Sequence, residues 1–478
     1  MSASSRRLRV LITNNTLDAR AGSELYVRDL AVGLLRRGHA PVAYSSVLGE
    51  VADELRAASI PVLDDLHSLS VAPDVIHAHH HLDAMCAMLR FPTVPAVFVC
   101  HGWQPWQEQP PVFPAIRRYV GVDDVCAERI LTTPGVDPAR VRTVYNAVDL
   151  TRFGRRLAPL PDRPRSALIF SNYASEDNYV GTIREACRAA SIERVDVIGR
   201  GTGTAVARPE LALLQYDLVF AKARCALEAM AVGAAVIVAD YSGLGGMVTP
   251  ENVEAMRRLN FGLRTMQRWP LTVEAVTREI ARYHAESSAA VCAYIRSNAD
   301  AEGTIDQFER LYEEALTEPV VWSADAGRDA CDAASTYMVT LADMLKGESD
   351  ERRRHAEAEA RSAAGLHAAR HENEALRAEL TSLAAAGEAL SARNQALAAA
   401  DAKRSTLQSD LARRDHDLAA RSRALANTEA TLDRTQADLA LSQHSLAAAH
   451  RELEALRGSR TWRLLGAYRF VRNWLREV

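Results

Sequence analysis

Gly22 opens AGSELYVRDLAVGLLRRGH (21–39), a stretch of helical period that directly follows an apolar run. A glycine at such a strand-to-helix turn lets backbone approach closely, and the free N–H groups of the helix end favour an anion. VFVCHGW (97–103) ends a second apolar run on His101 and Gly102. A histidine at the carboxyl edge of a strand can donate to a hydroxyl or stabilise developing charge; the competing reading is a packed core histidine. ALEAMAVGAAVIVAD (226–240) places Glu228 in the first turn of a helix that follows a strand, where a carboxylate suits the two hydroxyls of a ribose. IGRGTG (198–203), with Gly199 and Gly201, is not a dinucleotide fingerprint, because no helical run follows it; it reads as a turn near a ligand.

Two further groups have open readings. Trp103 and Trp106 in HGWQPWQEQPP (101–111) could stack on a sugar ring from the acceptor side or pack their own loop. His77, His79, His80 and His81 invite a metal, because alternate histidines on a strand share a face, but the chain has no Cys-x-x-Cys and no Cys/His spacing suited to zinc, so no metal site is expected. The seven cysteines are odd in number and widely spaced, which favours free thiols in a reducing compartment.

Such groups need strand ends to hold them. Short apolar runs at 8–13, 42–45, 74–78, 96–100 and 141–145 alternate with helical segments, the signature of α/β architecture with a parallel sheet. A second series follows the Pro/Arg-rich stretch 157–166, with strands at 167–172, 195–199, 217–221 and 235–240. Two Rossmann-like domains joined near residue 155 would leave a cleft between the carboxyl ends of their sheets. The helix IDQFERLYEEAL (305–316) carries a packed face and closes the second series.

Beyond it the composition changes. Between residues 346 and 457 there is no Phe, Tyr, Trp, Pro, Cys, Val or Ile, and leucines from Leu376 to Leu453 hold one seven-residue register broken only at Arg404. That predicts a long α-helical coiled coil, ~160 Å if continuous at 1.5 Å per residue; the positions that share the seam with the leucines are almost wholly polar, so a solvated single helix or a frayed, partly disordered segment is the alternative. The end, 458–478, gathers Trp462, Tyr468, Phe470 and Trp474 with Arg469 and Arg472. It predicts a basic amphipathic helix on an anionic membrane surface, or a tail that caps the coil or docks on a protein. The opening residues lack the apolar core of a leader, no run is long enough to span a bilayer, and a net charge of -4 argues against nucleic-acid binding.

Taken in order, AGSELYVRDLA…RRGH, DVIHAH, CHG, VYNAVDLTRF, IGRGTG, DLVFAKARCALEAMAVGAAVIVAD and YEEAL resemble family 4 glycosyltransferases of the GT-B fold, over roughly residues 7–318. The resemblance implies a nucleotide-diphosphate sugar as donor, held mainly by the second domain. It also implies an acceptor on the first domain, transfer with retained configuration, and no obligatory metal or other cofactor. It gives Gly22 a place near the donor phosphate, His101 one beside the transferred sugar, and Glu228 the ribose. Two departures stand out: the family's first glutamate, eight positions before Glu228, is Phe220, and SNYASEDNY (171–179) lacks the Arg and Lys that meet the diphosphate. Lys222 and Arg224 are the nearest replacements. The tail resembles Ser-x-x-Trp-Arg ends of coiled-coil-bearing bacterial surface-polysaccharide glycosyltransferases.

The expected organisation is an acceptor-side domain over 1–155, a shortened nucleotide-sugar domain over 156–318, a linker over 319–345, a coiled coil over 346–457 and the basic helix over 458–478. The expected activity is glycosyl transfer to a growing surface glycan or lipid-linked acceptor at the cytoplasmic membrane face, with self-association or a partner helix through the coil. A non-catalytic GT-B scaffold that binds a nucleotide sugar or glycan and recruits partners is the alternative.

Overall fold

The computed structural model describes residues 6–318, 323–394, 403, 407–423 and 426–427, the side chains of 387–394 excepted. In the first domain, strands β1 (Arg9–Thr13), β2 (Ala40–Tyr44), β3 (Val62–Leu63), β4 (Val75–His79), β5 (Ala96–Cys100), β6 (Ile116–Gly121) and β7 (Val141–Thr143) form one sheet in the order β3-β2-β1-β4-β5-β6-β7. All of its pairings are parallel. Helices α1 (Gly22–Arg36), α2 (Glu50–Ala57), α3 (His81–Arg90) and α4 (Asp124–Leu131) connect the strands. Parallel strands buried on both faces read as continuous apolar runs, which is why β4 and β5 are buried at every position. Strand β6 is absent from the sequence expectation because Arg117 and Arg118 interrupt its run.

The second sheet contains β8 (Ser166–Phe170), β9 (Arg194–Ile198), β10 (Leu218–Ala221), β11 (Ala235–Asp240) and β12 (Gly243–Met247), ordered β12-β11-β10-β8-β9. Its helices are α5 (Val180–Ala189), α6 (Pro209–Leu213), α7 (Ala223–Val232), α8 (Val253–Arg258), α9 (Leu263–Met266), α10 (Val273–Ile280) and α11 (Ala285–Asn298). Strand β12 is antiparallel to β11. Its sequence, GLGGM, looks like a turn; the glycines are there because a Cβ on Gly243, at φ +140°, would meet the Met266 carbonyl at 2.4 Å.

Helix α12 (Ala301–Thr317), expected to close the second domain, packs on the first. Its buried Ile305, Phe308, Leu311 and Tyr312 belong to the core of the first domain, where each such side chain is worth about 1.5–3 kcal/mol over exposure. Gly33 of α1 admits the Ile305 side chain, whose terminal carbon lies 2.1 Å from where a Cβ would sit. Arg118 of β6 reaches Glu314 and Glu318 at 2.9 and 2.8 Å. The chain crosses between domains twice side by side, at Val148 and Asp300.

Within the expected linker 319–345, helix α13 (Ala324–Asn394) begins and runs for 71 residues. The chain divides into two units at Tyr337/Met338, within this helix, with both sheets in the first. Leu383, Leu411 and Leu418 of the heptad register are exposed. The remainder of the predicted coil and the tail, including Trp462, Arg469, Arg472 and Trp474, lie outside the described residues. Among the described residues no helix is long and apolar enough to cross a membrane.

Candidate functional site

In doubly wound sheets, ligands bind outside the carboxyl ends of the strands where the strand order reverses. In the second sheet that point lies between β8 and β10. A cavity of about 350 Å3 opens there, lined by Phe170 at the end of β8 and Asn172 beyond it, Gly199 and Arg200 after β9, and Arg224, Cys225 and Glu228 on α7. Gly22 and Leu25 at the amino end of α1 line it from the first domain. Thus Gly22, Gly199, Arg224 and Glu228 are brought together, whereas Lys222, Gly201, His101, Trp103 and Trp106 are not among its lining residues.

Residue Ala21 precedes α1 without a side-chain cap, so the first-turn N–H groups are left for water or a ligand. Glu228 is buried, and its Oε1 accepts from Nε of Arg224 at 2.8 Å. Burial pushes its carboxyl up and Arg224 pulls it down, leaving it above the ordinary range. Arg224 also pairs with Asp29 of α1. Asp29 pairs in turn with Arg28 at 2.6 Å, Arg28 with Glu54 at 2.8 Å, and Glu54 with Arg20. This alternating chain of charge joins the two domains beside the cavity. Another lining arginine, Arg152, holds buried Glu210 at 2.9 Å. Lys222 pairs with the fully buried Asp240 and lies 4.8 and 5.3 Å from the ring centres of Tyr173 and Tyr241. Phe220 sits on β10 with no exposure, packed in the core of the second domain.

The second cluster lies where the first sheet reverses, between β1 and β4. His101, just past β5, contacts Tyr26 of α1 edge-on at 4.6 Å between ring centres. Its Nε2 is 3.2 Å from Nδ1 of His79, whose own Nε2 is buried without a partner. An orphaned buried N–H is costlier than an orphaned acceptor. The cheaper arrangement therefore puts the shared proton on His79 Nδ1 and leaves His101 with an N–H at Nδ1. Burial pulls His101 down to about 4, so the ring is neutral near pH 7.

Glu108, which sequence reasoning did not single out, organises this corner. Its Oε2 accepts from the His101 backbone N–H at 2.8 Å, and its Oε1 meets His80 Nε2 at 3.2 Å. His80 Nδ1 accepts the Asn15 N–H at 3.0 Å, which places the proton on Nε2, facing Glu108. Burial pushes the Glu108 carboxyl up, but His80 and the His101 N–H hold it below the ordinary range. Arg129 ties down the same loop through the Gly102 and Pro105 carbonyls, at 2.7 and 2.9 Å. Trp106 packs edge-on to His81 at 5.1 Å, and His81 Nδ1 meets the Tyr337 hydroxyl of α13 at 2.8 Å. Trp103 lies under the Arg264 guanidinium of the second domain, 5.6 Å from its ring centre. One acid in an aromatic loop was the only signal for Glu108; its distant partner, His80, comes from the end of β4, invisible without the topology. Among the described residues, no group of three or more His, Cys, Asp or Glu could hold a metal ion.

Residues 20–152 match the family described as Glycosyltransferase Family 4. No curated protein matches the chain. Among solved structures, the chain is similar to a glycosyltransferase from Rickettsia africae at 12% identity and a TM-score of 0.47, over 65% of this chain and 99% of the other. It is also similar to HepE from Anabaena in complex with UDP, at 13% identity and a TM-score of 0.47, over 64% of this chain and 100% of the other.

Proposed function

We propose that the protein is a retaining glycosyltransferase that moves a sugar from a nucleotide-diphosphate donor to a growing surface glycan or lipid-linked acceptor. The observation that carries this reading is the buried Glu228 carboxylate, oriented by Arg224, in a cavity that also receives the uncapped end of α1. The family match over the first domain supports it. One Glu228 oxygen is held by Arg224, so the carboxylate presents a fixed acceptor to the ribose hydroxyls. The α1 N–H groups donate to phosphate oxygens. The neutral His101 donates from Nδ1 to the transferred sugar as the bond from its anomeric carbon to phosphate breaks, the bond to the acceptor oxygen forms, and the acceptor hydroxyl's proton passes to the departing phosphate oxygen. Glu108 and Arg129 hold the loop that carries His101, and Trp103 and Trp106 lie on the acceptor side. No metal or other cofactor takes part in this scheme. The exposed leucine face of α13 supports self-association or pairing with a partner helix. The basic aromatic tail gives the protein a peripheral place at the inner membrane face.

One observation favours a second reading. Phe220 is core, so the sugar contact that a glutamate supplies in the family is not supplied from that position. A GT-B scaffold that binds a nucleotide sugar without turnover accommodates this. A thermal-shift panel of nucleotide sugars tests binding: at least one should raise the melting temperature, and Glu228→Ala should remove the shift. Shifts of equal size in the variant would contradict the placement of ribose on Glu228.

A further inference from the structure

We propose that Arg200 is the residue that meets the donor diphosphate in this chain, an assignment that rests on the nucleotide-sugar reading above. A diphosphate entering the cavity needs a cation with fork geometry or a free point charge. The loop after β8, SNYASEDNY, carries none. Nearby cations are already engaged: Arg20 with Glu54, Arg152 with Glu210, Arg224 with Asp29 and Glu228, and Lys222 with Asp240. Drawing any of them onto phosphate would strip a cation from a partly or fully buried carboxylate, which is costly. Arg200 lines the cavity and is exposed, and among the described residues no carboxylate pairs with it.

Its loop is built to stay where it is. A Cβ on Gly199 would fall 1.9 Å from the Ser171 carbonyl oxygen, and one on Gly201 would fall 2.3 Å from that of Ala174. These glycines let the loop press directly onto the segment that lacks cations. Backbone bonds fasten the two: Ser171 N–H to the Ile198 carbonyl at 3.1 Å and Gly201 N–H to the Asn172 carbonyl at 3.1 Å. The Arg200 N–H itself donates to Asn172 Oδ1 at 3.3 Å. The loop closes on itself through Gly203 N–H to the Arg200 carbonyl at 3.0 Å, with Gly203 at φ +69°. The segment after β8 therefore serves as a platform, and the cation arrives from the neighbouring strand end. A fixed backbone under a free guanidinium lowers the ordering cost of binding.

Isothermal titration of the full chain with UDP, GDP and ADP and with the matching nucleosides tests this. Arg200→Gln should weaken the tightest-binding diphosphate about 10- to 100-fold and change its nucleoside by no more than about twofold, the loss expected for one charge-assisted contact. Arg200→Lys should recover part of the loss. Arg224→Gln should weaken diphosphate and nucleoside alike, because it acts through Glu228 on the ribose. Wild-type diphosphate affinity in Arg200→Gln, or a phosphate-dependent loss in Arg224→Gln instead, overturns the assignment. If the wild type binds no nucleoside diphosphate and no nucleotide sugar, the nucleotide-sugar reading falls and the assignment with it.

Discussion

At Glu228, burial raises the carboxyl and the Arg224 guanidinium, with a smaller pull from Arg152, lowers it, so the charge proposed to accept ribose hydroxyls depends chiefly on Arg224. Arg224→Ala should raise it further. Nucleotide-sugar affinity in that variant should fall more steeply than in the wild type as pH is lowered from 8 to 6, since a protonated carboxyl loses acceptor strength; parallel pH profiles would contradict this. Glu108 acts at one remove, through the His101 backbone and His80. Glu108→Gln keeps the size and loses the charge, so turnover should drop about 10- to 100-fold through misplacement of His101. Donor affinity should hold, because Glu108 does not line the donor cavity; loss of both together would point to general unfolding. His77 is fully buried and bonded to Tyr312 at 2.6 Å, and burial pulls it down to about 3. The unfolded chain binds that proton near pH 6.5, so between about 6.5 and 3 the unfolded state holds more protons and stability is lost as pH falls, by at most ~1.4 kcal/mol per unit. His77→Phe should flatten the decline in melting temperature below pH 6.5, even if its melting temperature at pH 7.5 is lower.

Among the elements, strand ends and glycine turns carry the site. Gly199→Ala must displace the β9 loop from Ser171, since the new Cβ would sit 1.9 Å from its carbonyl oxygen. Overpacking of this kind costs about 1–3 kcal/mol, and nucleotide affinity should fall with it; calorimetry and titration of the same sample read both. Much of this scale was legible in the sequence. The apolar runs of β1, β4, β5, β8 and β11 announce parallel strands, and the position of His101 follows from a strand end; Glu228 lies beyond the first turn of α7, where the sequence suggests the first turn itself. What could not be read was pairing across distance. Lys222 and Arg224 stand out as nearby cations, yet their occupation by Asp240 and Asp29 depends on β11 and α1 folding beside them. Nor does the face of α12 reveal that it belongs to the first domain, because its partners, Gly33 and His77, lie far back in the chain.

For the whole molecule, ion pairs join the two domains: Asp29 with Arg224, Asp124 with Arg258 at 2.7 Å, and Glu128 with Arg264 at 2.5 Å. In each, the acid is on the first domain and the arginine on the second. The tail is a separate claim. Deleting 459–478 should release the protein from anionic vesicles, and unchanged sedimentation with them would exclude the tail as the anchor. The central claim is sugar transfer, and turnover tests it most directly. The full chain should be incubated with nucleotide sugars and a membrane fraction as acceptor, and released nucleoside diphosphate and transferred sugar measured together. The account predicts equal release and transfer with at least one donor, lost in both His101→Ala and Glu228→Ala. Tight donor binding with no transfer to any acceptor offered, or transfer unchanged in both variants, would contradict it.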